Sequence, residues 1–185
     1  MKMENLLCKG KDKDDGKWYE GYYMLMHDTT YCCMPSDNAG KAKRLEEENT
    51  HHYIIFECMT DWGLPNKHLR AEILPETLCR CFEWEKGTIW ENDIYQWLNS
   101  AYGRCTGIVR FGEYWQDGSA DEYPRIHCYG VYVEILKVIP FPESCISEED
   151  YPDYLKTISV LEMFEENKEV NLIGNNFDNP ELVEV

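Results

Sequence analysis

The sequence has no long apolar segment. Its most apolar stretch, Val131–Phe141, is interrupted by Glu134 and Lys137, whereas a membrane-spanning helix needs about 20 predominantly apolar residues. Residues 1–18 are polar and charged, and they lack the apolar core of a secretory signal peptide. We therefore expect a soluble protein without a membrane-spanning helix.

Basic residues are scarce. The 185 residues include 18 lysines and arginines against 35 aspartates and glutamates, which gives a formal net charge of -17. Proteins that grip nucleic acid by neutralising phosphates, or that dock on anionic membranes, need the opposite charge, so the composition argues against both. Residues 87–185 carry a net charge of -13, of which -10 lies within residues 143–185.

Spacings typical of metal sites are also missing, although the chain has nine cysteines. Zinc sites usually contain Cys-x(2–4)-Cys or His-x(3–5)-His pairs. Here the closest pairs are Cys32-Cys33 and Cys79-Arg80-Cys81, which are too tight. We expect reduced thiols that pack as small apolar side chains, and neither a metal nor a cofactor.

No catalytic signature is present. The chain lacks a Gly-x-Ser-x-Gly elbow, a His-Glu-x-x-His helix, a phosphate loop and a dinucleotide fingerprint. His127 and Cys128 are adjacent and would point to opposite faces of a strand. Glu91 and Asp93 flank a turn, where we interpret them as solvent-exposed. The expectation is a protein that is not an enzyme; the alternative is an enzyme with an unrecognised thiol or carboxylate site, which a cleft with Cys105 or Cys128 within hydrogen-bond reach of a histidine would favour.

The patterns that are present are those of β-strands. Aromatic residues make up 14% of the chain, and aromatic side chains favour strands. Asp15-Gly16 supplies the positive φ angles of a hairpin turn. The predicted strands are Leu6–Cys8, Trp18–Met26, His51–Met59, Leu69–Leu74, Thr88–Trp90, Asp93–Trp97, Gly107–Tyr114 and Ile126–Ile139.

Helical signals are confined to the second half of the chain. Ser147–Lys156 begins with a capping-type Ser-x-x-Asp, and Thr157–Asn167 repeats apolar residues at three-residue spacing. Residues 34–50 have the composition of an exposed loop, and Asn179–Leu182 that of a capped turn with proline at its first position. The sequence therefore predicts a mainly β protein with one or two short helices.

Five segments share a recognisable order. Leu7–Tyr22, Ile73–Thr77 and Ile89–Ile94 are followed by Gly107–Tyr114, which reads Gly-Ile-Val-Arg-Phe-Gly-Glu-Tyr, and by Leu172–Leu182, which ends in Asp-Asn-Pro-Glu-Leu. Together they resemble the YopX proteins of bacteriophages and prophages. One departure is Asn92, which stands where the family has glycine; asparagine is the usual substitute at a positive φ angle.

This resemblance implies a small SH3-type β-barrel in residues 87–185, on which a β-rich portion, residues 1–86, is packed. It also implies a mobile-element origin and a location in the cytoplasm of the bacterial host. The family provides no catalytic residues to transfer. Of the positions that carry the resemblance, we interpret Gly107, Gly112, Gly174 and Pro180 as turn and cap positions.

The leading hypothesis is a phage-encoded, non-enzymatic protein-binding or regulatory module, whose partner is a host protein, a phage protein or a second copy of the chain. The first alternative is an acidic nucleic-acid mimic that occupies a basic site on a host DNA- or RNA-binding or defence protein. The second is a nucleic-acid-binding barrel, which the scarcity of basic residues disfavours. The candidate partner-binding residues are Glu148, Glu149, Asp150, Asp153, Glu162, Glu165 and Glu166.

Overall fold

The computed structural model of the protein describes residues 7–28, 47–60, 62–84, 87–116, 126–142 and 156–184. The chain forms two compact units, Met1–Cys81 and Phe82–Val185. Both are built from antiparallel strands with little helix, so the prediction of a mainly β fold is confirmed. The predicted division into residues 1–86 and 87–185, with the first portion packed on the second, stays a prediction.

The first unit is an antiparallel sheet in which the first four strands are neighbours in chain order and the fifth lies beside the first. Its strands follow the order β4-β3-β2-β1-β5, and β5 continues into the second unit. A 3₁₀ turn, Pro75–Thr77, precedes β5, which pairs with β1 through Cys79 and Arg80. The strands are β1 (Leu7–Lys11), β2 (Trp18–His27), β3 (Thr50–Cys58), β4 (Lys67–Glu72) and β5 (Cys79–Trp84).

The turn between β1 and β2 forms as its sequence predicts. The Asp12 carboxylate accepts hydrogen bonds from the backbone N–H groups of Asp14 and Asp15. Gly16 then adopts a φ of 68°, which is costly for other residues. The chain thus reverses locally, and Lys11 pairs with Trp18 at the base of the hairpin.

The end of β4 is tied to the end of β1, although the two strands lie on opposite sides of β2 and β3. Asp12 forms a β-bridge with Ile73, and the Leu74 N–H donates to the Lys11 carbonyl. The sheet therefore curls. Its small core contains Cys8, Ile54 and Ile73, against which Tyr19, Phe56 and Leu78 pack.

The second unit contains a five-stranded sheet in the order β10-β9-β8-β7-β11. Its edge strands, β10 and β11, do not pair with each other among the described residues, so the SH3-type barrel closure stays a prediction. The elements of this unit are β6 (Gly87–Trp90), β7 (Asp93–Asn99), β8 (Gly103–Gln116), β9 (Ile126–Ile139), β10 (Thr157–Ser159), α1 (Val160–Glu166), β11 (Lys168–Asn175) and a 3₁₀ turn at Pro180–Leu182.

The predicted helix Thr157–Asn167 starts three residues too early. Thr157–Ser159 pairs with Glu134–Tyr132 of β9 as a strand, and the helix begins at Val160. The Ser159 hydroxyl marks the change, because it accepts a hydrogen bond from the Glu162 N–H as an N-cap does. The other predicted helix, Ser147–Lys156, and the loop at residues 34–50 fall almost wholly outside the described residues.

The β8–β9 hairpin folds back on itself. Thr157 pairs with Glu134 of β9, and its hydroxyl donates to the Trp115 carbonyl. Trp115 pairs with His127, which lies seven residues before Glu134 on β9. Seven extended residues would span about 23 Å, so the hairpin must bend between these points. Gly112 and Gly130 lie opposite each other there, with φ angles of 151° and 157°.

The interpretation of Gly107, Gly112 and Gly174 as turn positions is wrong, because all three lie within strands. Gly107, in β8, packs closely against core residues. A Cβ atom there would stand 2.6 Å from Val133 Cγ1 and 2.9 Å from both the Glu134 carbonyl oxygen and Trp97 Cη2. Gly174, in β11, is crowded by the Asn179 side chain. Pro180 does open the terminal 3₁₀ turn, as predicted.

Replacing Gly107 by alanine tests this packing. The new methyl group would overlap both a backbone oxygen and the buried Trp97 ring, so we expect Gly107→Ala to lower the free energy of unfolding by about 1–3 kcal/mol. Urea denaturation followed by circular dichroism measures the change. Glu113→Gln, an exposed change on the same strand, is the control and is expected to shift stability by less than about 0.5 kcal/mol. Equal stability of the two variants would contradict the close approach.

Candidate functional site

The turn between β6 and β7 carries two carboxylates, Glu91 and Asp93. The prediction that both groups are solvent-exposed is wrong for Asp93, which is buried and accepts a hydrogen bond from the Trp90 N–H at 3.2 Å. Burial raises the pKa of the neighbouring Tyr95 to about 12, and the Asp93 charge adds to this shift. Through its hydrogen bond from the Trp90 N–H, the Asp93 side chain stabilises the β6–β7 turn.

Asn92 joins this turn to two other parts of the second unit. Its φ of 69° confirms the positive angle expected where the YopX pattern has glycine. Its N–H donates to the Val109 carbonyl, and its own carbonyl accepts from the Asn176 N–H. The Arg110 guanidinium donates to its side-chain oxygen at 2.6 Å. The cluster thus fixes β8 and the segment after β11 to one turn.

Among the described residues, neither cysteine proposed for a thiol site shares a hydrogen bond with a histidine. Cys105 is fully buried, its thiol donates to the Gly103 carbonyl, and burial raises its pKa to about 12, so it is a poor nucleophile. The Cys128 thiol donates to the Ile126 carbonyl. His127 instead lies 3.5 Å from the Glu113 carboxylate. This arrangement gives the thiol hypothesis no support.

Within the described part of the chain, no three histidine, cysteine, aspartate or glutamate side chains come together as a metal site. None of the six cysteines described there forms a disulfide, and four of them are buried. The helices found in the same residues are too short or too polar to cross a membrane.

The acidic candidates divide into two groups. Glu148, Glu149, Asp150 and Asp153 lie outside the described residues. Glu162, Glu165 and Glu166 lie on α1, whose buried residues Val160 and Met163 attach it to the core. Glu165 and Glu166 are exposed, and neither has a cation at ion-pair distance among the described residues.

The negative charges of Glu165 and Glu166 are unfavourable for the helix on which they lie. Glu165 and Glu166 occupy the last turn of α1, which contains no basic residue. Negative charge at a helix C-terminus is unfavourable, by roughly 0.3–1 kcal/mol per charge. Glu162 and Glu166 are also like charges four residues apart, which costs a few tenths of a kcal/mol more. Helix stability therefore does not explain their position.

A second candidate surface lies on the first unit. Tyr22, Met24 and Met26 alternate along β2 and so point to one face of the sheet, with exposed fractions of 49%, 44% and 38%. Their partners Ile55 and Tyr53 on β3 share this face. We call it the Tyr22 face: Leu7, Lys9, Lys11, Trp18, Glu20, Tyr22, Met24, Met26, His51, Tyr53, Ile55, Glu57, His68, Arg70 and Glu72.

Cations on the Tyr22 face are held by aromatic rings. The ammonium groups of Lys9 and Lys11 lie 5.3 and 5.5 Å from the centre of the Trp18 ring. The Arg70 guanidinium lies 4.9 Å from that of Tyr53. Such cation–π contacts fix the charges beside apolar surface. The face therefore combines exposed methionine and aromatic side chains with positioned positive charge.

One feature of the sequence indicates this exposed apolar surface. Tyr22–Met26 is a run of five large side chains without a polar residue, so both faces of the strand are apolar there. Both faces stay partly exposed along this stretch, since Tyr23 and Leu25 on the opposite face are 36% and 45% exposed. How far each face is covered depends on partner strands that are distant in the chain.

An ion network lies at the edge of the Tyr22 face. The two ring nitrogens of His51 lie 3.0 Å from the Glu72 carboxylate and 3.1 Å from the Asp28 carboxylate. Lys13 reaches the same Glu72 oxygen at 3.0 Å. His51 therefore bridges β4 and the end of β2 when it is protonated.

Comparisons of this chain with protein-family models, with curated proteins and with solved structures find no match. The YopX resemblance thus rests on the five segments quoted above, and it stays a prediction.

The His51 network predicts a pH dependence. Hydrogen bonding to Glu72, followed by that to Asp28, raises the pKa of His51 above 6.5, and the Glu72 pKa falls below 4.5. The contribution of His51 to stability is therefore fully present below pH 6.5 and is lost as the pH rises through its folded-state pKa. The contribution of Glu72 is present above pH 4.5 and is lost on acidification.

We expect NMR titration of the histidine ring signals to give His51 a pKa above 6.5, and Glu72→Gln to lower it. Glu57→Gln is the matched control, because Glu57 lies beside His68 instead. A His51 pKa that is unaffected by Glu72→Gln would contradict the network.

Proposed function

We propose that this protein is a non-enzymatic protein-binding module of a bacteriophage or prophage, acting in the cytoplasm of the bacterial host. The observation that carries this proposal is the exposed apolar strip formed by Tyr22, Met24 and Met26 on the Tyr22 face. Contiguous exposed apolar surface with a polar rim is typical of protein interfaces. Tyrosine, methionine and arginine are also the side chains enriched there.

The test is affinity capture of the tagged protein from a host lysate, with mass spectrometry, comparing wild type with Tyr22→Ser/Met24→Ser. Removing two central apolar side chains from an interface costs at least about 1–2 kcal/mol, so we expect about tenfold less of the captured partner. The control is Leu172→Ser/Ile173→Ser, two exposed apolar residues of β11, which should leave capture unchanged. Equal recovery with all three proteins would contradict a role for this face.

One observation favours a second candidate, the acidic nucleic-acid mimic. Glu165 and Glu166 hold exposed negative charge where it destabilises α1, and a mimic needs carboxylates on a rigid face. The helix is rigidly attached, because Phe164 packs edge-on against Tyr95 at 5.5 Å.

Competition with DNA distinguishes this candidate. The purified protein should displace DNA from a basic host DNA-binding protein at low salt, and Glu165→Gln/Glu166→Gln should weaken displacement several-fold. Glu181→Gln/Glu184→Gln removes the same charge elsewhere and should have little effect. Absence of displacement at low salt would exclude the mimic and leave the Tyr22 face as the proposed interface.

A further inference from the structure

We propose that the end of the β8–β9 hairpin binds arginine side chains of a basic protein segment. This surface belongs to the second unit and is independent of the Tyr22 face, so it adds a second interface to the function proposed above. Beyond Arg110 the two strands pair without a register shift, and side chains of alternate residues therefore share one side of the hairpin. We call this side the Trp115 face: Phe111, Glu113, Trp115, His127, Tyr129 and Val131.

The Trp115 face lies on the outer side of the bend in the hairpin. On the opposite side, Tyr114 stacks on Tyr132 with ring centres 4.9 Å apart, although the two residues are four positions apart in the register. The hairpin therefore closes over the Tyr114 side and leaves the Trp115 face in solvent. Trp115 and Tyr129 are 54% and 72% exposed.

The two exposed rings are held by their neighbours. Tyr129 meets Phe111 edge-on, with ring centres 5.3 Å apart, and Trp115 lies against the His127 ring at 4.8 Å. Cross-strand contacts of this kind fix the orientation of the rings. Unlike the rings of the first unit described above, neither Trp115 nor Tyr129 has a lysine or arginine over it among the described residues. Both rings are thus open to a cation from a partner.

The fixed charge of the Trp115 face has one sign. Glu113 is its single carboxylate, and none of its six positions is a lysine or arginine. Glu113 lies directly opposite Tyr129 and two residues before Trp115, so its carboxylate is within reach of a cation on either ring. The His127 ring lies 3.5 Å from this carboxylate, which can accept further hydrogen bonds. The Arg110 guanidinium is engaged on the opposite side of the hairpin.

Arginine fits this arrangement better than lysine does. A planar guanidinium stacks on an aromatic ring and at the same time directs its N–H groups at a neighbouring carboxylate, whereas a lysine ammonium is a point charge. Residues 87–185 carry a net charge of -13, and residues 117–125, which connect the two strands, contain three carboxylates and one arginine. This charge attracts a basic segment. It repels a nucleic-acid strand, whose bases could otherwise stack on the same rings.

The experiment is fluorescence anisotropy at 0.15 M salt, with a fluorescein-labelled peptide in which arginine alternates with glycine. A peptide with lysine at the same positions has equal charge. We expect the arginine peptide to bind several-fold more tightly than the lysine peptide, because only the guanidinium can stack and fork. Trp115→Ser/Tyr129→Ser should lower the affinity for the arginine peptide by about tenfold. Glu113→Gln, which keeps the shape of the side chain, should lower it by about threefold.

Two controls match these variants. Leu172→Ser/Ile173→Ser removes exposed apolar side chains of β11, and Glu184→Gln removes an exposed carboxylate near the end of the chain. Both should leave the affinity within about twofold of wild type. Circular dichroism verifies that each variant folds, and Glu113→Gln tests the site even if the aromatic double variant does not.

Three results would overturn the inference: no binding of the arginine peptide, equal affinity for the two peptides, or an effect of Glu184→Gln as large as that of Glu113→Gln. None of them bears on capture through Tyr22 and Met24, so the proposed function is tested separately.

Discussion

The second unit depends on the backbone of Asn92. A single residue at positive φ gives its N–H to β8 and its carbonyl to the segment after β11, while its side chain accepts from Arg110. Arg110 in turn contacts Glu134 on β9 at 3.1 Å. Two strands, the segment after β11 and a turn are therefore connected through Asn92. Asp93, the next residue, is buried and accepts a hydrogen bond from the Trp90 N–H. This hydrogen bond explains why a carboxylate occurs in so apolar an environment.

The two units bury their apolar side chains to different extents. The second has a contiguous core around Trp97, Cys105, Val109 and Val133, and its bent β8–β9 hairpin brings distant residues together. The first has a smaller core cluster, formed by Cys8, Ile54 and Ile73, and it leaves large apolar residues of β2 in solvent. Because exposed apolar surface is unfavourable in water, we propose that the exposed side chains of the first unit serve for binding.

How far the sequence predicts this structure depends on how local each signal is. The Asp15-Gly16 turn and the alternating residues of β8 and β9 are local, and they placed those elements correctly. β11 was missed because Lys168–Asn175 is mostly exposed and is a strand only through its pairing with β7. Thr157–Ser159 was misread as helix for the same reason. The acidic helix could be named from composition, whereas the Tyr22 face required knowledge of which strands lie side by side.

The position of β11 beside β7 has a consequence for biosynthesis. Asn99, at the end of β7, and Asn167, which precedes β11, share a hydrogen bond across 68 residues of chain. At about 5–20 residues per second, a ribosome needs roughly 3–14 s to make the intervening segment. During that interval the outer edge of β7 presents unpaired backbone groups to every other nascent chain. High-level expression therefore increases the chance that this edge pairs with another chain before β11 has been made.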